Sequence, residues 1–240
     1  MTSIAVIGSK HSPGASTLAM AVAALTALTQ PTLLIEADPA GGDLAARTGL
    51  ALDPGLLTLT AAARRGLTAE LLDLHAQRLA NGVDTIGAPS SPDLAHTAIA
   101  AIAHPLATAI RDRAGVTVID AGRWDSRSIS AEVVAACDTV VVAFRPTVEG
   151  VEHARARLDA LSGRRVIAAM IGETPYRAVE VAAVLDGAAL CVIEWDPRAA
   201  SAIAAGRPVD RWLRRTALLR CAQTIVEHTV TPTTAVGVAS

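Results

Sequence analysis

Lysine is nearly absent from this sequence: it occurs once, at Lys10, and the rest of the 21 lysines and arginines are arginine. Aromatic side chains are almost as scarce, with three Trp, one Tyr and one Phe in 240 residues, so the core must be built from Val, Ile, Leu and Ala. The three cysteines, Cys137, Cys191 and Cys221, are isolated and lack C-x-x-C spacing. That argues against a disulfide framework and suits a reduced, cytoplasmic protein. The six histidines show no metal-ligand spacing. A formal net charge of −2 supplies no global attraction to nucleic acid or anionic lipid. No apolar run reaches membrane-spanning length, and no basic stretch precedes the first apolar segment, so neither a spanning helix nor a signal peptide is expected.

The solitary lysine lies in a telling place. Ser3-Ile-Ala-Val-Ile7 reads as a buried strand, Gly8-Ser-Lys-His-Ser-Pro-Gly-Ala15 as a loop, and Ser16-Thr17 as the opening of a helix. Strand, loop and helix in this order form a phosphate-binding unit, in which loop N–H groups and the helix N-terminus cradle an anion. Aligned on Gly14 and Ser16, the pattern G-x-x-x-x-G-K-[ST] meets Ser9 at its first glycine and Ala15 at its lysine. Gly14 can still turn the chain and the Ser16 hydroxyl can still ligate Mg²⁺. Residues 12–17 (Ser12, Pro13, Gly14, Ala15, Ser16 and Thr17) together with Lys10 are therefore the candidate nucleotide-binding residues.

Two more apolar runs end in acid. Thr32-Leu-Leu-Ile-Glu-Ala-Asp-Pro-Ala-Gly-Gly-Asp43 carries Asp38 before a Gly-rich turn, and Gly115-Val-Thr-Val-Ile-Asp120 ends in Asp120. Continuous Val/Ile/Leu runs mark parallel strands buried on both faces, and ligands bind at the carboxyl ends of such strands. Asp38 and Asp120 can thus share a site with the loop. Asp120 is placed to hold Mg²⁺ directly or through water, and Ser16, Asp38 and Asp120 are the candidate metal ligands.

These residues resemble the ParA/MinD-like branch of P-loop ATPases, whose deviant Walker A loop reads K-G-G-x-G-K-[ST]-[ST]. Lys10-His-Ser-Pro-Gly-Ala-Ser-Thr17 keeps the first lysine, one glycine and both hydroxyls of that motif. The resemblance implies that Lys10 reaches across a nucleotide-sandwich homodimer to the partner's phosphates. Leu33-Leu-Ile-Glu-Ala-Asp-Pro-Ala-Gly41 looks like the switch I stretch D-x-D-P-x-G, so Asp38 takes the place of the aspartate that orients the attacking water, and Glu36 replaces the first aspartate. Lys10 and Asp38 are the catalytic candidates on this basis, with ATP and Mg²⁺ as the implied cofactors. Asp138–Thr147 is similar to the family's V-x-x-P-[ST] strand and exit loop, and Val192–Ala200 with Gly206-Arg-Pro208 is similar to its late I-P-x-D…A…G-x-P block.

The departures bear on activity. Ala15 removes the lysine that acts in cis, His11-Ser12 replaces a glycine pair, and Met170–Tyr176 lacks the asparagine that usually reads adenine. Comparable loops occur in the TadZ/CpaE-like pilus-localisation branch. A hydrogen bond to a charged partner contributes about 1.5–3 kcal/mol, so losing it lowers affinity about ten- to a hundredfold. Losing one preorganised charge stabiliser costs on the order of 10²–10³ in rate. Arg123 and Arg145 lie at strand ends, where an arginine is more often a solvated surface residue than a source of charge for the site.

The periodicity alternates strands (near 3–7, 32–36, 83–87, 115–120, 138–144, 165–171 and 189–194) with helices (near 16–29, 43–48, 56–63, 68–79, 92–112, 130–136, 149–161, 177–186, 197–205 and 210–228). This predicts an α/β fold, a mainly parallel twisted sheet with helices on both faces. The expected organisation is a single P-loop NTPase-like domain over 1–228 and a flexible tail over 229–240. Arg211, Arg214, Arg215 and Arg220 on the last helix do not outweigh its apolar residues, which are expected to pack on the sheet rather than on lipid. Nor do Arg64-Arg65 and Arg164-Arg165 make a DNA-binding surface.

Two functional readings follow. One is a nucleotide-dependent regulator that positions or recruits a protein partner, in chromosome or plasmid partition, division-site placement or pilus localisation, with weak or absent ATP hydrolysis. The other is a scaffold that kept the fold and acts without nucleotide. A Rossmann dehydrogenase is disfavoured because no G-x-G-x-x-G follows the first strand.

Overall fold

The computed structural model describes residues 1–10, 14–173 and 175–230, except for the side chain of Val230. Its elements, in chain order, are β1 (Thr2–Gly8), α1 (Ala15–Thr26), β2 (Thr32–Glu36), α2 (Leu44–Thr48), α3 (Leu56–Ala62), α4 (Ala69–Leu74), β3 (Gln77–Arg78), β4 (Asp84–Ile86), α5 (Pro92–Asp112) and β5 (Val116–Arg123). They continue with α6 (Ala131–Ala136), β6 (Thr139–Phe144), α7 (Val148–Ala160), β7 (Arg165–Ile171), α8 (Ala178–Val184), β8 (Ala189–Ile193), α9 (Pro197–Ala204) and α10 (Ala217–Val230).

The eight strands form one sheet in the order β3-β4-β2-β5-β1-β6-β7-β8. Every pairing is parallel except the short β3–β4 edge. The strands read as unbroken apolar runs because helices cover both faces and successive side chains point to opposite sides. On β1, Ile4 and Val6 enter a core with Leu18, Met20 and Val22 of α1 and Leu218, Leu219 and Ile225 of α10. Ala5 and Ile7 enter the opposite core with Leu56 and Leu59 of α3, Leu72 of α4, and Ile99, Ile102 and Leu106 of α5. The helices α3 and α4 therefore cover one sheet face, while Leu79 beyond them joins the opposite core. The one phenylalanine, Phe144, is fully buried, and the rest of the core is dominated by aliphatic side chains.

The mainly parallel α/β architecture is as the sequence predicts, with two local corrections. The helix expected over 68–79 stops at Leu74, and Gln77–Arg78 becomes an edge strand. There the Arg78 guanidinium donates twice to the Asp84 carboxylate, at 2.9 and 2.7 Å, a fork that helical backbone would not present. The helix expected over 210–228 is broken: a 3₁₀ turn over Leu213–Arg215 ends at Thr216, and α10 starts after it. Thr216 is extended, its hydroxyl donates to the Leu213 carbonyl at 2.7 Å, and its carbonyl accepts the Arg220 N–H at 3.0 Å. This is the local competition by which a threonine stops one helix and begins another. Leu213, Leu218, Leu219 and Ile225 are buried, so this end of the chain packs against the sheet as expected. Among the described residues, no helix is long and apolar enough to cross a membrane.

Candidate functional site

The site forms where the chain order reverses within the sheet. The central strand β1 lies between β5 and β6, and the loop leaving its carboxyl end opens into the crevice where parallel sheets bind ligands. Gly14 precedes α1 with φ +106°, a left-handed conformation that favours glycine, and its carbonyl accepts the Leu18 N–H at 2.9 Å. No side chain caps α1 among the described residues, and its first turn has no acidic residue. Its leading N–H groups and the positive end of its dipole are thus available to an anion. Gly14, Ala15, Ser16 and Thr17 line a cleft of about 110 Å³ together with Asp38, Gly122 and Arg123. Lys10 is exposed and stands outside that lining. Ser12 and Pro13 of the predicted binding set lie outside the described residues, as does His11.

Two carboxylates face each other across β2 and β5, where Glu36 is in register with Asp120. Asp120 is 1% exposed. Its Oδ1 accepts the Gly122 N–H at 3.2 Å, while its buried Oδ2 has no hydrogen-bond partner among the described residues. Burial raises its pKa to about 7; the Ser16 hydroxyl and the Gly122 N–H pull it down, and the charges of Glu36 and Asp38 push it up. A buried carboxylate oxygen without a donor, beside a serine hydroxyl, suits a hard divalent cation. Among the described residues there is no cluster of three or more His, Cys, Asp or Glu side chains able to hold a metal. A cation here would use Ser16 and Asp120 and complete its shell with water or phosphate oxygens, the usual habit of Mg²⁺.

Asp38 comes to the same cleft. Its Oδ1 accepts the Ala40 N–H at 2.8 Å. Burial raises its pKa; that N–H counteracts the shift, Asp43 adds to it and Arg123 lowers it. The carboxylate rests on Gly122, whose φ is +58° and where a Cβ would come within 2.0 Å of it. Only glycine leaves room for Asp38 at this point.

Sequence reasoning identified Glu36 only as a replacement for an aspartate. The structure shows it holding the Gly-rich turn. Its Oε1 accepts the N–H groups of Asp43 (2.7 Å) and Leu44 (3.0 Å), and its Oε2 accepts that of Ala88 (2.9 Å). Burial raises its pKa, and these three bonds oppose the rise. A Cβ at Gly42 would fall 2.3 Å from Oε2, so Gly42 gives the turn its approach to this carboxylate, while a Cβ at Gly41 would meet the Ser90 carbonyl. The sequence signal was the acid-then-glycine order, but the third donor lies 52 residues away.

Ala15 contributes only a buried methyl group to the cleft. A second cleft, about 160 Å³, adjoins the first through Gly14 and Thr17 and is lined by Ile171, Ile193, Trp195 and Pro197. Arg145 stacks on the Trp195 ring at 4.7 Å and lines this second cleft.

No protein-family model matches the sequence, and no curated protein matches it. Solved structures do resemble it. A ParA family ATPase from Chlorobium tepidum TLS superposes with a TM-score of 0.73 at 16% identity, covering 94% of this chain and 97% of that one. A putative plasmid partition protein from Borrelia burgdorferi B31, bound to AMPPNP, gives 0.68 at 15% identity over 95% and 97% of the two chains. The septum site-determining protein MinD from Pyrococcus horikoshii OT3, complexed with Mg-ADP, gives 0.67 at 14% identity over 96% of each. The chain has the fold of the ParA/MinD P-loop ATPases.

Proposed function

We propose that this protein is a ParA/MinD-like nucleotide-binding regulator that positions or recruits a protein partner and hydrolyses ATP weakly or not at all. The observation that carries the reading is the buried Oδ2 of Asp120, unpartnered among the described residues, beside Ser16 at the start of α1, which no described side chain caps. The N–H groups that follow Gly14 would hold phosphate, with Ser12 and Pro13 completing the loop. Ser16 and Asp120 would hold Mg²⁺, with Asp38 beside them. Bound there, Mg²⁺ would neutralise phosphate charge. Asp38 would orient water, and the exposed Lys10 would reach the phosphates of a second copy. The adjoining cleft, with Trp195 half exposed and Pro197, Ile171 and Ile193 around it, suits the base.

Ala15 supports the weak-turnover part of the reading and also favours the second possibility, a scaffold that works without nucleotide. Light scattering separates the two. Mg-ATP should shift the wild type from monomer to dimer, and Lys10→Ala should remain a folded monomer. Identical mass with and without nucleotide would favour the scaffold, and an unchanged dimer fraction in Lys10→Ala would remove the role across the dimer.

A further inference from the structure

Arg123 is a cationic side chain of the cleft whose charge is felt by Asp38 but which no hydrogen bond or ion pair among the described residues holds. It lines the cleft with Ala15, Ser16 and Asp38. The other arginine of that cleft, Arg47, is held by Asp43 at 2.7 Å. Arg145 is stacked on Trp195 in the neighbouring cleft. The direction in which Arg123 points is set by the backbone. Along β1 and β5 the register runs Val6 to Asp120 and then Gly8 to Arg123, so β5 carries one extra residue at this point. A bulge of this kind re-aims the side chain that follows it. Gly122 supplies the left-handed turn, with φ +58°. On the other side Trp124 anchors the chain: its side chain is buried, its backbone N–H donates to the Gly8 carbonyl at 3.2 Å, and its backbone carbonyl accepts from Arg157 Nε at 2.6 Å. Arg123 is therefore pinned from both sides, directly opposite the first residue of the loop.

We infer that Arg123 supplies, from the end of β5, the phosphate-binding charge that Ala15 no longer provides in cis. The assignment rests on the reading that this cleft takes a nucleotide. A guanidinium suits the task because its planar fork pairs with phosphate oxygens and keeps its charge. It also accounts for how a loop without its lysine keeps a counter-charge to a polyphosphate while the acids around Asp120 remain.

Calorimetric titration with Mg-ATP tests this on wild type, Arg123→Ala, Arg123→Lys and the double variant Arg123→Ala/Ala15→Lys, with circular dichroism confirming that each is folded. Arg123→Ala should weaken binding about ten- to a hundredfold, the worth of a hydrogen bond to a charged group. Arg123→Lys should retain part of the affinity. The double variant should recover affinity, because the charge returns from the opposite wall. Inorganic tripolyphosphate should show the same order among the variants, since the contact is to phosphate. Wild-type binding that Arg123→Ala leaves unchanged would overturn the Arg123 assignment alone. No binding of Mg-ATP or tripolyphosphate by the wild type would overturn the nucleotide reading and the assignment with it.

Discussion

The ends of β2 and β5 carry buried carboxylates in register with each other, Glu36 and Asp120, and the two are treated differently by their surroundings. Glu36 has both oxygens engaged by backbone N–H groups from two separate loops. Asp120 has one oxygen engaged and, among the described residues, one left without a donor. A fully bonded buried acid is a structural fastener, because satisfied donors and acceptors fix their loops and leave nothing for a ligand. A half-bonded one carries an electrostatic debt that a cation removes. At the end of β2, Glu36 reaches across to the Ala88 N–H and holds the Gly-rich turn. In the proposed function, binding falls to its neighbour Asp120.

The strongest test of that contrast is to remove the fastener. Glu36→Ala leaves three N–H donors without partners, two of them buried and that of Asp43 open to water, and at about 1–3 kcal/mol for each unsatisfied buried donor the expected loss is about 2–5 kcal/mol. Urea denaturation measures it, and a loss below about 1 kcal/mol would mean the staple is dispensable.

Asp120→Asn should act in the opposite direction. A carboxyl whose folded pKa is raised from 3.8 to about 7 binds a proton in the folded state that it lacks in the unfolded state between those values. Its contribution to stability is complete below the unfolded pKa and is lost as pH rises through about 7. At pH 8 the wild type therefore holds an unfavourable buried charge, and Asp120→Asn should be more stable by about 2–4 kcal/mol. The decline in stability between about pH 4 and 7 should flatten in the variant. Millimolar Mg²⁺ at pH 8 should raise the melting temperature of the wild type and leave that of Asp120→Asn unchanged. Equal Mg²⁺ responses would place the cation elsewhere.

Gly122→Ala probes the meeting of β5 with Asp38. A left-handed backbone costs a non-glycine residue about 1–2 kcal/mol, and the new Cβ would collide with the Asp38 carboxylate. The expected loss is about 2 kcal/mol by thermal melting. Asp38→Ala in the same chain should recover the steric part and leave the backbone part. Non-recovery would mean that Asp38 already has somewhere else to go.

The smallest expected effect is a gain. Ala15→Lys should raise Mg-ATP affinity by about tenfold, about 1.4 kcal/mol, or raise turnover. An unchanged affinity and rate would mean that the loop can no longer use a lysine at that position.

Much of the fold was readable because its signals are local. An apolar run followed by Gly14 and a helix, or by Asp38 or Asp120, shows a buried parallel strand ending at a crevice. What escaped was set by partners distant in sequence or by competition at one residue. Helical spacing carried the prediction through Gln77–Arg78, where pairing with β4 decides the outcome. It also carried through Thr216, whose hydroxyl and carbonyl divide one expected helix in two. The site was legible in its acids and in Ser16, which the fold brings together. The staple at Glu36 was not, because one of its donors comes from Ala88. Arg123 was visible as a cation after the strand that ends in Asp120, but the bulge that aims it exists only in the register of β1 against β5.

The central claim is that the half-bonded Asp120, the uncapped α1 and the Gly14 turn still make a nucleotide site although the P-loop lysine is gone. Calorimetric titration of the purified wild type with Mg-ATP and with Mg-ADP, with molecular mass followed by light scattering in the same samples, tests it most directly. The account predicts micromolar Mg-ATP binding accompanied by dimerisation. No heat of binding and no change of mass up to millimolar nucleotide would contradict it.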